Sequence, residues 1–166
     1  MVPRLYHIHR KILIFIFVLI LFWIMLAVSD PLLRNYNPAI SQIFHNIFAP
    51  VCHQIPERSI QINSYPMALC VRCTGFYLFG AVILFFYIFH HRIRILPLIY
   101  YMLLLTPLLI DFICEKTGLY HNIAIIRFFT GGLLGLSAFH LLVVSLSTRI
   151  DVLKYSLEKK VWITNR

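Results

Sequence analysis

Four long apolar runs, Ile12 to Val28, about Ala68 to Phe89, Ile95 to Cys114 and about Ile123 to Ser147, leave few folds open to this chain. Each approaches or exceeds the roughly 17 residues that a helix needs to cross about 30 Å of hydrocarbon at about 1.5 Å per residue. Inside a bilayer the backbone must satisfy its own polar groups, so runs of this kind cross as helices. Composition agrees, with 60% of the 166 residues hydrophobic and 13% charged, outside the balance of a soluble domain. The predicted fold is an all-α, integral membrane four-helix bundle, a single domain over residues 1–166 with the lipid bilayer as its solvent. The first run also resembles a secretory signal, with Arg10 and Lys11 before it and Ala27-Val28-Ser29 after it. Its apolar core is longer than the roughly 7–15 residues of a signal core, so a retained span is expected.

The formal charge of +9 reads as topology information. The basic residues flank the apolar runs and form no interleaved basic and aromatic patch, which argues against a nucleic-acid partner. Ten of the fifteen lie in the N-terminus (Arg4, Arg10, Lys11), the second connection (Arg92, Arg94) and the tail (Arg149, Lys154, Lys159, Lys160, Arg166). Cytoplasmic segments carry the Lys and Arg excess, so both termini are expected in the cytoplasm of a cell, or inner, membrane. The first outer loop then holds Asn37-Pro38 and apolar residues at Ile40, Ile43, Phe44, Ile47 and Phe48. That spacing predicts an amphipathic helix over 38–49, lying in the interface with Ser41, Gln42, His45 and Asn46 on its polar side.

Three of the four cysteines fall on that outer side, as Cys52-His53-Gln54 and, sixteen residues later, Cys70-Val71-Arg72-Cys73 at the mouth of the second span. A Cys-x-x-Cys pair sets two sulfurs about one helical turn apart, a bite that chelates a metal or closes a disulfide. Cys52, His53, Cys70 and Cys73 make a possible ligand set for zinc. Outside the cytoplasm thiols oxidise, so a structural disulfide and a redox-active Cys70–Cys73 pair stand beside the metal reading.

Two ionisable residues sit at membrane depth. Asp111 lies near the outer end of the third span and Arg127 near the outer start of the fourth, so an antiparallel hairpin brings them level and they are expected to pair. With Arg72 they form a polar site beside the bend expected at Pro107, which would suit a small transporter or lipid-handling bundle. Gly131 and Gly135 make a small-residue face on the fourth span, and Gly75, Gly80 and Ala81 make one on the second, so these helices are expected to touch. His7, His9, His90 and His91 flank span ends, and His140 reads as a packing residue. The chain contains no nucleotide-binding loop, no His-Glu-x-x-His and no Cys-x-x-Cys-His haem site.

At Cys52-His53-Gln54 with Glu57-Arg58-Ser59, Cys70-Val71-Arg72-Cys73-Thr74-Gly75, Asp111 and Arg127 to Gly135, the chain resembles a prokaryotic membrane family, domain of unknown function 2085. The resemblance implies a small multi-pass membrane protein and brings no activity with it. A looser likeness is to the DsbB and vitamin K epoxide reductase class of membrane thiol oxidoreductases. Those are four-helix bundles with outer-face cysteines, and in the DsbB type a Cys-x-x-Cys opens the second span. That likeness implies a quinone-linked thiol-disulfide exchange with Cys70 and Cys73 as the redox pair, Cys52 as shuttle and Arg72 or Arg127 near the quinone.

Overall fold

The computed structural model describes residues 5–7, 10–90, 92–119 and 123–164. Among them are five helices: α1 (Arg10–Leu33), α2 (Pro38–Phe48), α3 (Val71–Phe89), α4 (Leu98–Lys116) and α5 (Ala124–Thr164). Four segments are long and apolar enough to cross a membrane: α1, α3, α4 and the Ala124–Arg149 part of α5. The four-span bundle is therefore the architecture of the chain. His9 and His91 lie outside the described residues.

The small-residue seam holds the bundle together. α3 and α5 share the most extensive helix contact. A Cβ on Gly75 would run into the Phe128 carbonyl, one on Gly131 into the Arg72 carbonyl, and one on Gly135 into the Phe76 carbonyl. Each glycine thus admits the backbone of the opposite helix, the close approach that small residues permit where lipid offers no hydrophobic drive. Below the seam, Leu84, Ile88, Phe139 and Val143 bury themselves with Leu13 and Ile20 of α1. α4 is packed mainly on α5 and turns most of its surface outward.

Two short strand pairs accompany the helices. β1 (Leu5–His7) pairs antiparallel with β4 (Arg92–Arg94) at the end of the bundle away from the cysteines. β2 (Ser59–Ile62) and β3 (Tyr65–Cys70) form a hairpin directly ahead of α3. Its turn is made by Asn63 and Ser64, at φ of 51° and 68°, and two left-handed residues in succession are what a two-residue hairpin turn requires. The second span consequently begins at Val71 and not near Ala68. Met67, Ala68 and Leu69 are strand residues buried against Ala27 and Phe48.

The first span also runs further than expected, through Pro31 to Leu33. Its last turn is held by α2. Asp30, fully buried, accepts a 2.6 Å hydrogen bond from Ser41 Oγ, and its other carboxylate oxygen lies 2.8 Å from His45 Nδ1. Phe48 completes that face by stacking on Trp23 at 4.4 Å between ring centroids. Ser41, His45 and Phe48 therefore point into the protein, which corrects the expected polar side of α2. Ile40, Ile43 and Ile47 face outward, as an interfacial helix would place them. Asn37 caps α2 by accepting from the Ile40 N–H at 3.2 Å, with Pro38 in the first turn. Asn37→Ala is expected to weaken α2 by about 1 kcal/mol, read as faster amide exchange over residues 38–48.

Candidate functional site

Three chain segments bring their sulfurs to one point. Past the end of α2 the backbone tightens until the Cys52 N–H bonds to the Phe48 carbonyl at 3.0 Å, which buries Cys52 at 5% exposure. Cys70 ends β3 and is also the N-cap of α3, and Cys73 follows in the first turn of that helix. The Sγ atoms of Cys52, Cys70 and Cys73 all lie within 4.8 Å of one another. All four cysteines are free, and Cys114 stands outside the group.

The loop carrying Cys52 is clamped by its neighbour. Gln54 adopts a φ of 50°, in the left-handed region that L-residues occupy at a cost. Its side-chain amide donates to the His45 carbonyl at 2.6 Å and to the Ala68 carbonyl at 3.1 Å, tying the loop to α2 and to β3 together. His53, next to it, is exposed, and it lines the same cavity as the cysteines without joining their close group. Of the four candidate ligands read from the sequence, the three sulfurs form the close group and His53 stands on the cavity wall beside it.

Charge is unevenly shared among the three. Hydrogen bonds from the Cys52 and Cys73 thiols, and then from the Cys73 and Arg72 backbone amides, hold the Cys70 thiol well below the ordinary range. The helix start favours the same anion, since its unpaired N–H groups face the cap residue. Cys52 moves the other way, pushed up mainly by its hydrogen bond with Cys70. The Cys70 N–H in turn donates to Cys52 Sγ at 3.2 Å. Backbone donors onto sulfur are the outer-shell support that thiolate ligands take.

Beside the sulfurs lies a cavity of about 530 Å³ whose wall includes Arg58, Arg72, Lys116, Arg127 and Glu115. Asp111 and Glu115 stand one turn apart on α4, and between them they hold three arginines. Arg72 of α3 is ion-paired with Asp111, Arg127 of α5 with Glu115, and Arg58 with Glu115 at 2.7 Å. Thr130 Oγ1 also donates to Asp111 at 3.5 Å. Where an Asp111–Arg127 pair was expected, the structure shows a network that sets Arg72 on Asp111 and Arg127 on Glu115. Rotation of each helix about its axis decides which of these contacts a charge at that depth makes. Arg127 is 3% exposed; Nη2 is the atom that meets Glu115, while its Nε makes no hydrogen bond among the described residues, and neither does Arg72 Nε.

A protein-family model described as "Predicted membrane protein (DUF2085)" matches residues 52–141, more than half of the chain. The chain belongs to this family. The matched stretch of DUF2085 opens on Cys52 and contains all the sulfurs and charges of the site. Asp30, Ser41 and His45, which seat the site loop, lie before it. The chain is also similar to the uncharacterized protein MJ1492 of Methanocaldococcus jannaschii, 31% identical over 104 residues that make up 61% of this chain and 67% of that protein. No solved structure matches the chain.

Sequence reasoning missed Glu115 and Asp30. Glu115 had a signal in its i, i+4 spacing from Asp111, which puts both carboxylates on one helix face. Asp30 had none, because a proline directly after an acidic residue reads as the end of a span.

Proposed function

We propose that Cys52, Cys70 and Cys73 hold a zinc-type metal ion at the outer face of this membrane protein, leaving one coordination position to the adjoining cavity. The mutual approach of three sulfurs within 4.8 Å, one from the loop after α2 and two from the β3–α3 junction, carries this reading. Tetrahedral zinc at about 2.3 Å from each sulfur places sulfurs about 3.8 Å apart, so the set closes on an ion with shifts of at most about 1 Å. Three protein ligands with one open position is the pattern of reactive rather than purely structural zinc sites. An ion there would supply a Lewis-acid centre to whatever occupies the cavity. The concentration of Lys and Arg at the far ends of the spans supports an outer location, with both termini in the cytoplasm and the exposed apolar belt in lipid.

Elemental analysis of the purified protein tests this, run beside thiol counting with and without reductant. One metal per chain is expected. Cys70→Ser and Cys73→Ser should reduce it to near zero, while His53→Ala should keep it. A metal-free wild type whose cysteines are oxidised, and whose dithiol passes two electrons and two protons to added quinone, would replace this reading with thiol-disulfide exchange at Cys70 and Cys73.

A further inference from the structure

We infer that the cavity beside the sulfurs is a binding site for a phosphate-class oxyanion, gripped by Arg72 and Arg127. The inference shares a cavity with the proposed metal centre but rests on the arginines alone. Four cations, Arg58, Arg72, Lys116 and Arg127, face the cavity against a single lining carboxylate, Glu115. Glu115 is already divided between Arg58 and Arg127, and Asp111 serves Arg72. Positive charge is left over at the wall of the cavity.

The unused donors say where the anion goes. Arg127 is 3% exposed; its Nη2 is held by Glu115, but its Nε makes no hydrogen bond among the described residues, and Arg72 adds a second buried Nε in the same state. Buried guanidinium donors left unmatched are costly, and an oxyanion with several acceptor oxygens meets them in the fork geometry that arginine offers. The glycine seam fixes their spacing, because Arg72 lies against Gly131, one turn along α5 from Arg127. Lys116, exposed at the rim with its Nζ 5.8 Å from the Phe112 ring centroid, adds a further charge.

The cavity is larger than phosphate alone requires. Its volume of about 530 Å³ falls within the roughly 300–1,000 Å³ of small-molecule sites. Ile55 and Phe112 give it an apolar wall. That combination fits a phosphate group carrying an apolar portion, from a phospholipid headgroup region or from a soluble phosphorylated compound.

The test uses the full chain in phosphatidylcholine nanodiscs. Inorganic phosphate is titrated by calorimetry, and phosphatidylglycerol is followed as retained lipid by native mass spectrometry. Metal content is measured on the same samples. Saturable binding of either probe is expected, weakened on the order of ten-fold by Arg127→Gln. Because Arg127 also holds Glu115, the exposed Lys116→Glu serves as a second variant that leaves the fold alone, with several-fold weakening expected. Binding of phosphate supports a soluble source, and binding of phosphatidylglycerol alone supports the lipid. If folded wild-type protein binds neither, or if both variants bind as tightly as wild type, the inference is overturned. Metal without anion binding sinks this inference and leaves the metal reading standing; anion binding without metal does the reverse.

Discussion

Gly135→Val is expected to abolish the folded bundle. A Cβ at that position would overlap the Phe76 carbonyl and stand 2.9 Å from its Cα, and neither is a side-chain atom that can rotate away. α3 and α5 would have to part along their whole seam, because Gly131 against Arg72 and Gly75 against Phe128 repeat the same fit a turn or more away. Overpacking in a seam of this kind costs upwards of about 3 kcal/mol. In a small membrane domain that is a large share of the stability. Size-exclusion profiles and thermal melts in detergent give the readout: a monodisperse wild type against an aggregated or prematurely melting variant. Gly80→Ala is the control. Its Cβ meets the ring of Phe139, a side chain and not a backbone carbonyl, so a smaller loss is expected. Equal losses from both substitutions would show that the seam is not backbone-limited.

Asp30→Ala should be the second most damaging change. It leaves the Ser41 hydroxyl and the His45 ring facing a gap where a carboxylate had been, and Asp30 and Ser41 are each no more than 1% exposed. Loss of a buried acceptor with two partners is expected to cost about 2–4 kcal/mol. The loss should be local. α2 is seated by Ser41, His45 and Phe48, whereas α3 and α5 meet through their glycines. Hydrogen exchange over 38–48 should therefore accelerate far more than over 71–89. The proposed metal site should weaken too, since Cys52 hangs from Phe48 and Gln54 reaches back to the His45 carbonyl. Asp30→Asn keeps an acceptor for Ser41 and should lose less. Uniform acceleration along the whole chain would mean that Asp30 supports the bundle itself and not α2.

What could be read in advance divides along a physical line. Span number was legible because hydrocarbon thickness imposes a length, and no soluble alternative tolerates four such runs. The α3–α5 contact was legible because Gly131 and Gly135 recur at helical spacing with no side-chain purpose of their own. The sulfur cluster was legible in part: Cys70 and Cys73 announce themselves by spacing, and Cys52 by its place on the same side. The place of His53 outside their close group was not, because adjacency to Cys52 in sequence says nothing about which way a loop held by Gln54 turns it. The β2–β3 hairpin hid inside an apolar stretch that continues into α3, where a short strand and a helix start share the same composition. Which arginine meets which carboxylate was hidden for another reason. Sequence reports how deep a residue lies, and the choice between Arg72 and Arg127 is made by angles around helix axes.

The hairpin that places Cys70 has a consequence for how the chain comes together in time. Cys52 and Cys73 enclose a stretch whose contacts are short in sequence, with Ser59 facing Cys70 across β2 and β3. The charged wall is the opposite case, since Arg58 meets Glu115 57 residues away and Arg72 meets Asp111 39 residues away. Closing a longer loop costs more entropy and waits on more of the chain. The sulfur half can therefore be complete once the first turn of α3 exists, before α4 has arrived. During biosynthesis the nascent chain would present a finished sulfur pocket with one wall missing, and the arrival of Asp111 and Glu115 would then turn a surface into an enclosure.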